Sequence, residues 1–156
     1  MSGDRRQGLL DTNVVILREG IDPAELPDEM AITAVTLAEL SAGPHQVRGN
    51  GEQNLYDEHL ERALRMDVLQ RAENEFDPIP FGADAARIYG RMCAAVVAVG
   101  RSPRGRVADL MIASTAIAEG LPLFTVTPDD FKGLEEFLAL IPVAHPAGRP
   151  RPGAHR

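Results

Sequence analysis

Short apolar runs alternate with longer helical patterns along this chain, and this alternation restricts the fold more than any other feature. The runs "GLLD", "MAITAV" and "LPLFTVT" have the apolar or β-branched content of buried strands. The stretches "TAVTLAELSAG" and "VADLMIASTAIAEG" between them carry apolar residues at helical spacing and end at glycine. Strands that alternate with helices in one domain predict an α/β sandwich with a central, mainly parallel sheet.

The remaining stretches fit the same plan. Residues 52–75 predict one or two exposed amphipathic helices, and "ADAARIYGRMCAAVVAVG" predicts a long, partly buried helix. "PDDFKGLE" predicts a loop with a short helical turn, and "FLALIPV" a last strand or helix. The C-terminal segment 143–156 is rich in Pro, Gly and Arg without periodicity, so we expect it to be disordered.

Composition excludes several classes of protein. With 156 residues, 44% of them hydrophobic, the chain predicts one domain, and its net charge of −7 argues against coating nucleic acid through bulk electrostatics. Cys93 is the only cysteine, which excludes an intrachain disulfide and indicates a packed thiol. There is no signal-peptide pattern and no apolar run of membrane-spanning length, so a cytoplasmic location without membrane contact is expected.

Four carboxylates stand in unusual places. Asp11 interrupts "GLLDTNVVIL", Glu39 lies in the apolar "VTLAEL", Asp109 interrupts "VADLMIA", and Asp130 follows the strand "LPLFTVT". Each comes just after a predicted strand or early in a predicted helix, where open parallel sheets collect their ligand sites. We therefore expect the four side chains to converge.

Convergence of four carboxylates requires compensation. Two of them about 4 Å apart repel by roughly 4 kcal/mol at an effective dielectric near 20. A hard divalent cation such as Mg²⁺ or Mn²⁺ would neutralise an all-oxygen site, whereas scattered histidines and a single cysteine make zinc improbable. Acidic sites with such ions serve phosphate chemistry, and phosphodiester cleavage fits them.

Each acid also has a purely structural interpretation. Asp11 and Asp109 could cap or favour a helix N-terminus, and Glu39 could pair with an arginine. Asp129 or Asp130 could be a turn residue after Pro128. The joint pattern of four acids after strands favours the functional interpretation over these.

The motifs resemble those of PIN-domain ribonucleases. In order and spacing, "LLDTNV", "AVTLAEL", "VADLMIASTA" and "FTVTPDDF" match the four acidic motifs of that family, and the similarity is greatest to the VapC toxins of bacterial toxin–antitoxin pairs. The resemblance covers roughly residues 8–142, after an N-terminal extension of residues 1–7. It implies a PIN-like α/β/α sandwich and a metal-dependent endoribonuclease that acts on RNA.

The resemblance also implies roles and partners. Asp11 and Asp109 would be direct Mg²⁺ or Mn²⁺ ligands, while Glu39 and Asp130 would complete the pocket. Thr12 and Asn13 would orient Asp11 or a metal-bound water. A cognate VapB-type antitoxin would occupy the active-site groove, and homodimers are usual in such families.

The fourth motif departs from the family pattern. Thr127 stands where family members often have asparagine. We choose Asp130 over Asp129 as the fourth acid, because Asp130 directly precedes Phe131 as in the family.

Three arginines precede the third acid in the chain. Arg101, Arg104 and Arg106 are placed to contact RNA phosphates at the rim of the pocket, or else belong to a solvated loop. Two other functions stay open: a Mg²⁺-dependent phosphatase with Asp11 as nucleophile, and a non-catalytic interaction module that docks a basic peptide.

Overall fold

The computed structural model describes residues 6–47 and 55–146, which form helices around one parallel sheet. The strands are β1 (Gln7–Leu10), β2 (Glu29–Ala31), β3 (Leu123–Thr125) and β4 (Leu140–Pro142). The α-helices are α1 (Thr12–Leu17), α2 (Ala34–Ala42), α3 (Leu55–Glu75), α4 (Ala83–Ala98) and α5 (Val107–Glu119). The predicted alternation of strands and helices is confirmed, and "FLALIPV" contributes a strand.

The order of the strands across the sheet is β2-β1-β3-β4, and every neighbouring pair runs parallel. Gly8 pairs with Met30 of β2, and Leu10 pairs with Phe124 of β3. Because all strands share one direction, their carboxyl ends lie at one edge of the sheet. The segments that follow β1, β2 and β3 therefore begin at that edge.

The sheet separates two hydrophobic cores. Leu9 and Leu123 pack with residues of α4 and α5, such as Met92 and Leu110. Their neighbours Leu10 and Phe124 point to the opposite face and pack with residues of α1, α2 and α3. Adjacent strand residues thus serve opposite faces, and the predicted α/β/α sandwich is confirmed.

Polar residues define the ends of the site-bearing helices. The Asp11 side chain accepts a hydrogen bond from the backbone N–H of Thr12 and caps α1. Thr33 caps α2, because its hydroxyl accepts a hydrogen bond from the N–H of Thr36 at 3.0 Å. Gly120 ends α5 with a φ of 66°, a left-handed conformation that glycine adopts without strain.

The packed part of the chain is longer at both ends than the sequence indicated. β1 begins at Gln7, inside the expected N-terminal extension. Val143 is buried, and its N–H donates to the Thr125 carbonyl at 2.8 Å, so the expected start of the disordered tail at residue 143 is wrong. Residues 147–156, with Arg149, Arg151 and Arg156, lie outside the described residues.

Two smaller expectations concern packing and membranes. Cys93 is half-buried and packs against the core that contains Met92, with no disulfide. None of the helices in the described ranges combines the length and apolar character needed to cross a bilayer.

Gly8 is expected to tolerate no side chain. A Cβ at this position would overlap the ring of Phe124, which the core holds fully buried. The ring cannot move away without disturbing that core, so Gly8→Ala should lower the free energy of unfolding by about 1–3 kcal/mol. Chemical denaturation followed by circular dichroism measures this change.

Gly90→Ala is the matched control for Gly8→Ala. Gly90 lies inside α4, and a Cβ there would meet nothing within 4 Å. Alanine should stabilise the helix at this position by about 0.5–1 kcal/mol. Equal effects of the two substitutions would contradict the close contact between Gly8 and Phe124.

Candidate active site

Asp11 lies at the end of β1, between the central strands of the sheet. Its backbone N–H donates to the Phe124 carbonyl at 3.0 Å, which sets the residue beside the end of β3. Oδ1 accepts from the N–H of Thr12 at 2.9 Å, and Oδ2 accepts from the hydroxyl of Thr125 at 2.9 Å. Asp11 is only 3% exposed, so both oxygens are held in a fixed orientation within the protein.

A chain of hydroxyl groups connects α1 with α2 and ends at Glu39. The Thr12 hydroxyl donates to Oε1 of Glu39 at 2.7 Å and lies 2.9 Å from the hydroxyl of Thr36. Because the Thr12 hydroxyl donates its single proton to Glu39, the Thr36 hydroxyl must be the donor to the oxygen of the Thr12 hydroxyl. Thr12 and Thr36 are buried, and they position the carboxylate of the more exposed Glu39.

Asp109 and Asp130 approach the site from α5 and from the turn after β3. Asp109 lies in the first turn of α5, where the helix dipole favours a negative charge. Arg106 precedes that turn, and its guanidinium donates to the backbone carbonyl of Asp130 at 2.9 Å and lies 3.4 Å from Oδ1 of Asp130. Arg106 thus ties the start of α5 to the turn that carries Asp130.

The four acids interact electrostatically. The pKa of Asp11 is raised from 3.8 to about 6, mainly by burial. The hydrogen bonds from Thr125 and Thr12 oppose this shift, and the charges of Glu39 and Asp130 add to it. The pKa of Asp109 is raised to about 7, first by burial and then by the charges of Asp11, Asp130 and Glu39, while Arg106 lowers it. Such effects require proximity, so the sheet edge gathers these acids into one electrostatic unit, called here the acidic site.

The donors of the acidic site are oxygen atoms, which suit a hard divalent cation. Mg²⁺ commonly uses one or two protein carboxylates and keeps several waters. In the described part of the chain, no three His, Cys, Asp or Glu side chains lie together closely enough to enclose an ion. Asp11 and Asp109 are the two members of the site whose pKa values burial raises, so they are the pair whose charges a divalent cation would stabilise most.

The surroundings of some residues differ from those expected from sequence. Around Glu39, Val35 and Leu37 are only partly buried, Ala38 and Glu39 are exposed, and Leu40 is buried. The apolar run "VTLAEL" is therefore not a fully buried segment. Thr12 orients Glu39 through its hydroxyl and Asp11 through its backbone. Asn13 lines a cleft beside the acidic site.

The three arginines near the start of α5 make different contacts. Arg101 donates to the carbonyl of Asp129 at 2.6 Å, and Arg106 binds Asp130, so both hold the turn after β3. Arg104 is exposed, and its backbone N–H donates to the hydroxyl of Ser102 at 3.2 Å.

Sequence reasoning missed the threonines that support the carboxylates. Thr125 and Thr36 are fully buried and bind Asp11 and Thr12. One signal was present: Thr125 interrupts the apolar strand "LPLFTVT", and a buried hydroxyl there requires a partner.

The fold and the acidic site define the class of protein. Residues 9–135 match the PIN domain family, which is most of the chain. The chain therefore belongs to the PIN-domain family, as its motifs predicted.

Within the family, the similarity to VapC proteins is confirmed. The chain is 36% identical over 138 residues to Ribonuclease VapC5 of Mycobacterium tuberculosis, covering 86% of this chain and 93% of that protein. The crystal structure of VapBC-5 from Mycobacterium tuberculosis, a member of the VapBC family of toxin–antitoxin systems, matches with a TM-score of 0.69 and 33% identity over 88% of this chain and 98% of that one.

A more distant structure shares the fold. VapBC2 from Rickettsia felis, solved with a DNA fragment from its promoter, matches with a TM-score of 0.59 and 21% identity over 88% of this chain and 98% of that one.

Proposed function

We propose that this chain is a Mg²⁺- or Mn²⁺-dependent endoribonuclease and the toxin of a toxin–antitoxin pair. The observation that carries the proposal is that Asp11 and Asp109 at one sheet edge have raised pKa values, to which burial and the nearby charges of Glu39 and Asp130 contribute. Similarity to a protein named Ribonuclease VapC5 supports the choice of RNA as substrate.

Asp11 and Asp109 would bind the cation. Burial and repulsion hold the pKa of each well above its ordinary value, and a divalent cation between them removes that repulsion. When bound, the ion would polarise a phosphoryl oxygen and lower the pKa of a water. Thr125 and the N–H of Thr12 keep Asp11 oriented for this contact.

Glu39 and Asp130 would act around the bound phosphate. Glu39 is the exposed member of the set, and the Thr12 hydroxyl binds only its Oε1. Oε2 can therefore accept the proton of an attacking water. Arg106 holds Asp130 and brings a positive charge to the edge of the acidic site, where it offsets repulsion of the RNA backbone.

The loop before α5 would make the RNA contacts outside the acidic site. Arg104 is exposed, and its guanidinium is available to phosphates, whereas Arg101 and Arg106 already bind backbone carbonyls. We assign Arg104 the main phosphate contact and the other two arginines support of the loop. These roles restrict the expected phosphate contact mainly to Arg104.

The structure gives little support to a phosphatase with Asp11 as nucleophile. A nucleophilic carboxylate must let a whole phosphoryl group approach it, which the 3% exposure of Asp11 does not allow. A small cation needs only the second lone pair of an oxygen that already accepts one hydrogen bond from Thr12 or Thr125. A role in docking alone does not account for the repulsion between the carboxylates of Asp11 and Asp109, since such perturbed acids are typical of catalytic sites.

The toxin role includes partners. VapBC-5 is described as a member of the VapBC family of toxin–antitoxin systems, and we propose that a cognate antitoxin closes the acidic site of this chain. A homodimer and a cytoplasmic location, where the RNA is, belong to the same proposal.

Asp109→Asn tests the proposed function. RNA cleavage by the purified wild type should require Mg²⁺ or Mn²⁺ and stop with a chelator. The variant should lose about a hundredfold or more of this activity, together with calorimetrically measured Mn²⁺ binding, because the amide removes one negative charge from the cation site. Expression of the wild type, but not of the variant, should arrest growth.

Glu119→Gln is the control for Asp109→Asn. Glu119 is an exposed acid at the other end of α5, so its loss changes the net charge equally without touching the acidic site. Cleavage that survives chelation, or that is unchanged in Asp109→Asn, would refute the proposed function.

A further inference from the structure

A cleft of about 320 Å³ opens beside the acidic site. It lies between α1, which contributes Asn13 and Leu17, and the segment 126–130 after β3, with His145 also in its wall. We call it the side cleft. Asp130 belongs both to the side cleft and to the acidic site, so an occupant of the cleft would adjoin a phosphate bound at the acidic site.

The walls of the side cleft favour a flat, uncharged ring over a phosphate. Leu17, Val126 and Pro128 offer apolar surface, while the charged side chains among its described lining are Asp129 and Asp130. Two carboxylates repel a phosphate group, whereas apolar contacts suit the faces of a nucleobase. The volume lies near the lower end of the roughly 300–1,000 Å³ typical of small-molecule sites, so one nucleoside fits better than a longer segment.

Of the two aspartates that line the side cleft, Asp130 belongs to the acidic site, whereas Asp129 has no role there. It is exposed, and it is absent from the charges that raise the pKa values of Asp11 and Asp109. Its backbone is held, because its carbonyl accepts from Arg101 at 2.6 Å and from the N–H of Lys132 at 3.3 Å. The turn therefore fixes a carboxylate on the cleft wall that the acidic site does not use.

His145 adds an acceptor near the same wall. Its Nδ1 lies 3.1 Å from the carbonyl oxygen of Pro146, and since a carbonyl only accepts, Nδ1 donates. In the neutral ring Nε2 is then an acceptor, and it is buried without a hydrogen-bond partner among the described residues. The two aspartate carboxylates of the wall only accept, whereas Asn13 and Thr127 can donate or accept, so the charged part of the wall favours a ligand that presents donors.

We propose that the side cleft binds a guanine base of the RNA next to the cleaved bond, and that Asp129 reads its Watson–Crick edge. Guanine alone among the four bases presents two adjacent donors there, N1–H and the N2 amino group, and a carboxylate accepts both. This inference rests on the proposed ribonuclease function and names its substrate preference. Asp129 is then a specificity-determining residue.

Cleavage of a pool of short randomised RNAs tests the inference. With Mn²⁺ present, sequencing of the products of the wild type should show guanine enriched at one position beside the cut. Asp129→Asn should remove that enrichment, because an amide offers one acceptor and one donor and no longer matches guanine. Asp84→Asn, which changes an exposed aspartate in the first turn of α4, should leave the preference intact.

A single-site oligonucleotide gives the quantitative result. Replacing the selected guanine by inosine, which lacks the N2 amino group, should lower kcat/KM of the wild type by about tenfold or more. The same replacement should change kcat/KM of Asp129→Asn by less than about twofold, and Mn²⁺ binding to this variant should equal that of the wild type.

The outcomes separate the inference from the proposed function. If the wild type cleaves no RNA with Mg²⁺ or Mn²⁺, the proposed function is wrong, and so is the guanine site that depends on it. Cleavage without guanine preference, or a preference that survives in Asp129→Asn, overturns the guanine site alone. Loss of Mn²⁺ binding in Asp129→Asn, or an effect confined to antitoxin binding, would also overturn it by giving Asp129 another role.

Discussion

Replacing Asp11 by asparagine is expected to abolish RNA cleavage while making the metal-free protein more stable. The carboxylate of Asp11 is buried among like charges, and its pKa is raised from 3.8 to about 6. At neutral pH the folded protein must therefore hold a charge that the unfolded chain hydrates freely. An uncharged amide removes this penalty, and with it the charge that a cation needs.

Asparagine fits the contacts of Asp11. Its carbonyl oxygen can keep the bond from the Thr12 N–H, since asparagine is also a favoured helix cap. Its amide can donate to Thr125, whose hydroxyl can then turn toward Thr127, 3.3 Å away. The pKa shift corresponds to about 2–3 kcal/mol above pH 6. For a chain of this size the melting temperature should rise by about 5–10 °C.

Differential scanning calorimetry at pH 8 in a chelator measures the stability of Asp11→Asn, and RNA cleavage with Mn²⁺ measures its activity. Activity should fall by about a hundredfold or more, because even residues that only support metal ligands are worth about 10–100-fold. Asp22→Asn is the matched control, since Asp22 caps the 3-10 turn Pro23–Glu25 but is exposed. A variant that loses both activity and stability would show that Asp11 acts only as a cap.

The fold was largely predictable because its determinants are local. Strand runs such as "LPLFTVT" differ from helical stretches in length and periodicity, and glycines such as Gly120 mark where helices end. The boundaries were less predictable. Val143 is held by a hydrogen bond to Thr125 of β3 and by core packing, contacts that no local pattern around "VAHPAG" encodes.

The acids of the site were predictable in kind, but their supporting contacts were not. A carboxylate inside an apolar run is conspicuous, as Asp11 and Asp109 show. The bond between Thr12 and Glu39 spans 27 positions and depends on how α1 packs near α2. The contacts of Arg106 and Arg101 with the turn after β3 likewise depend on tertiary structure, whereas the sequence left these side chains either at RNA phosphates or in a solvated loop.

The metal-free protein should lose stability as the pH rises from about 4 to about 7. The folded-state pKa values of Asp11 and Asp109, about 6 and about 7, lie above the ordinary value of 3.8. The folded protein then binds more protons than the unfolded chain in this window, so the stabilisation from this uptake is complete below about pH 4 and disappears as the pH passes the folded-state pKa values. The facing groups are Glu39, Asp130 and Arg106, of which only Arg106 opposes the shift of Asp109.

Melting temperatures measured in chelator at pH 5 and pH 8 test this dependence. The wild type should be more stable at pH 5 than at pH 8. Asp109→Asn should show a smaller difference between the two pH values, because it lacks one of the two carboxyl groups with a raised pKa.

At pH 8, Mn²⁺ at about 100 times its dissociation constant should raise the free energy of unfolding of the wild type by about 2.7 kcal/mol. Because the cation would replace the protons as the neutralising charge, its effect should be larger at pH 8 than at pH 5. If the wild type is equally stable at both pH values and does not respond to Mn²⁺, the pKa values of Asp11 and Asp109 are not raised and the acidic site does not bind a cation.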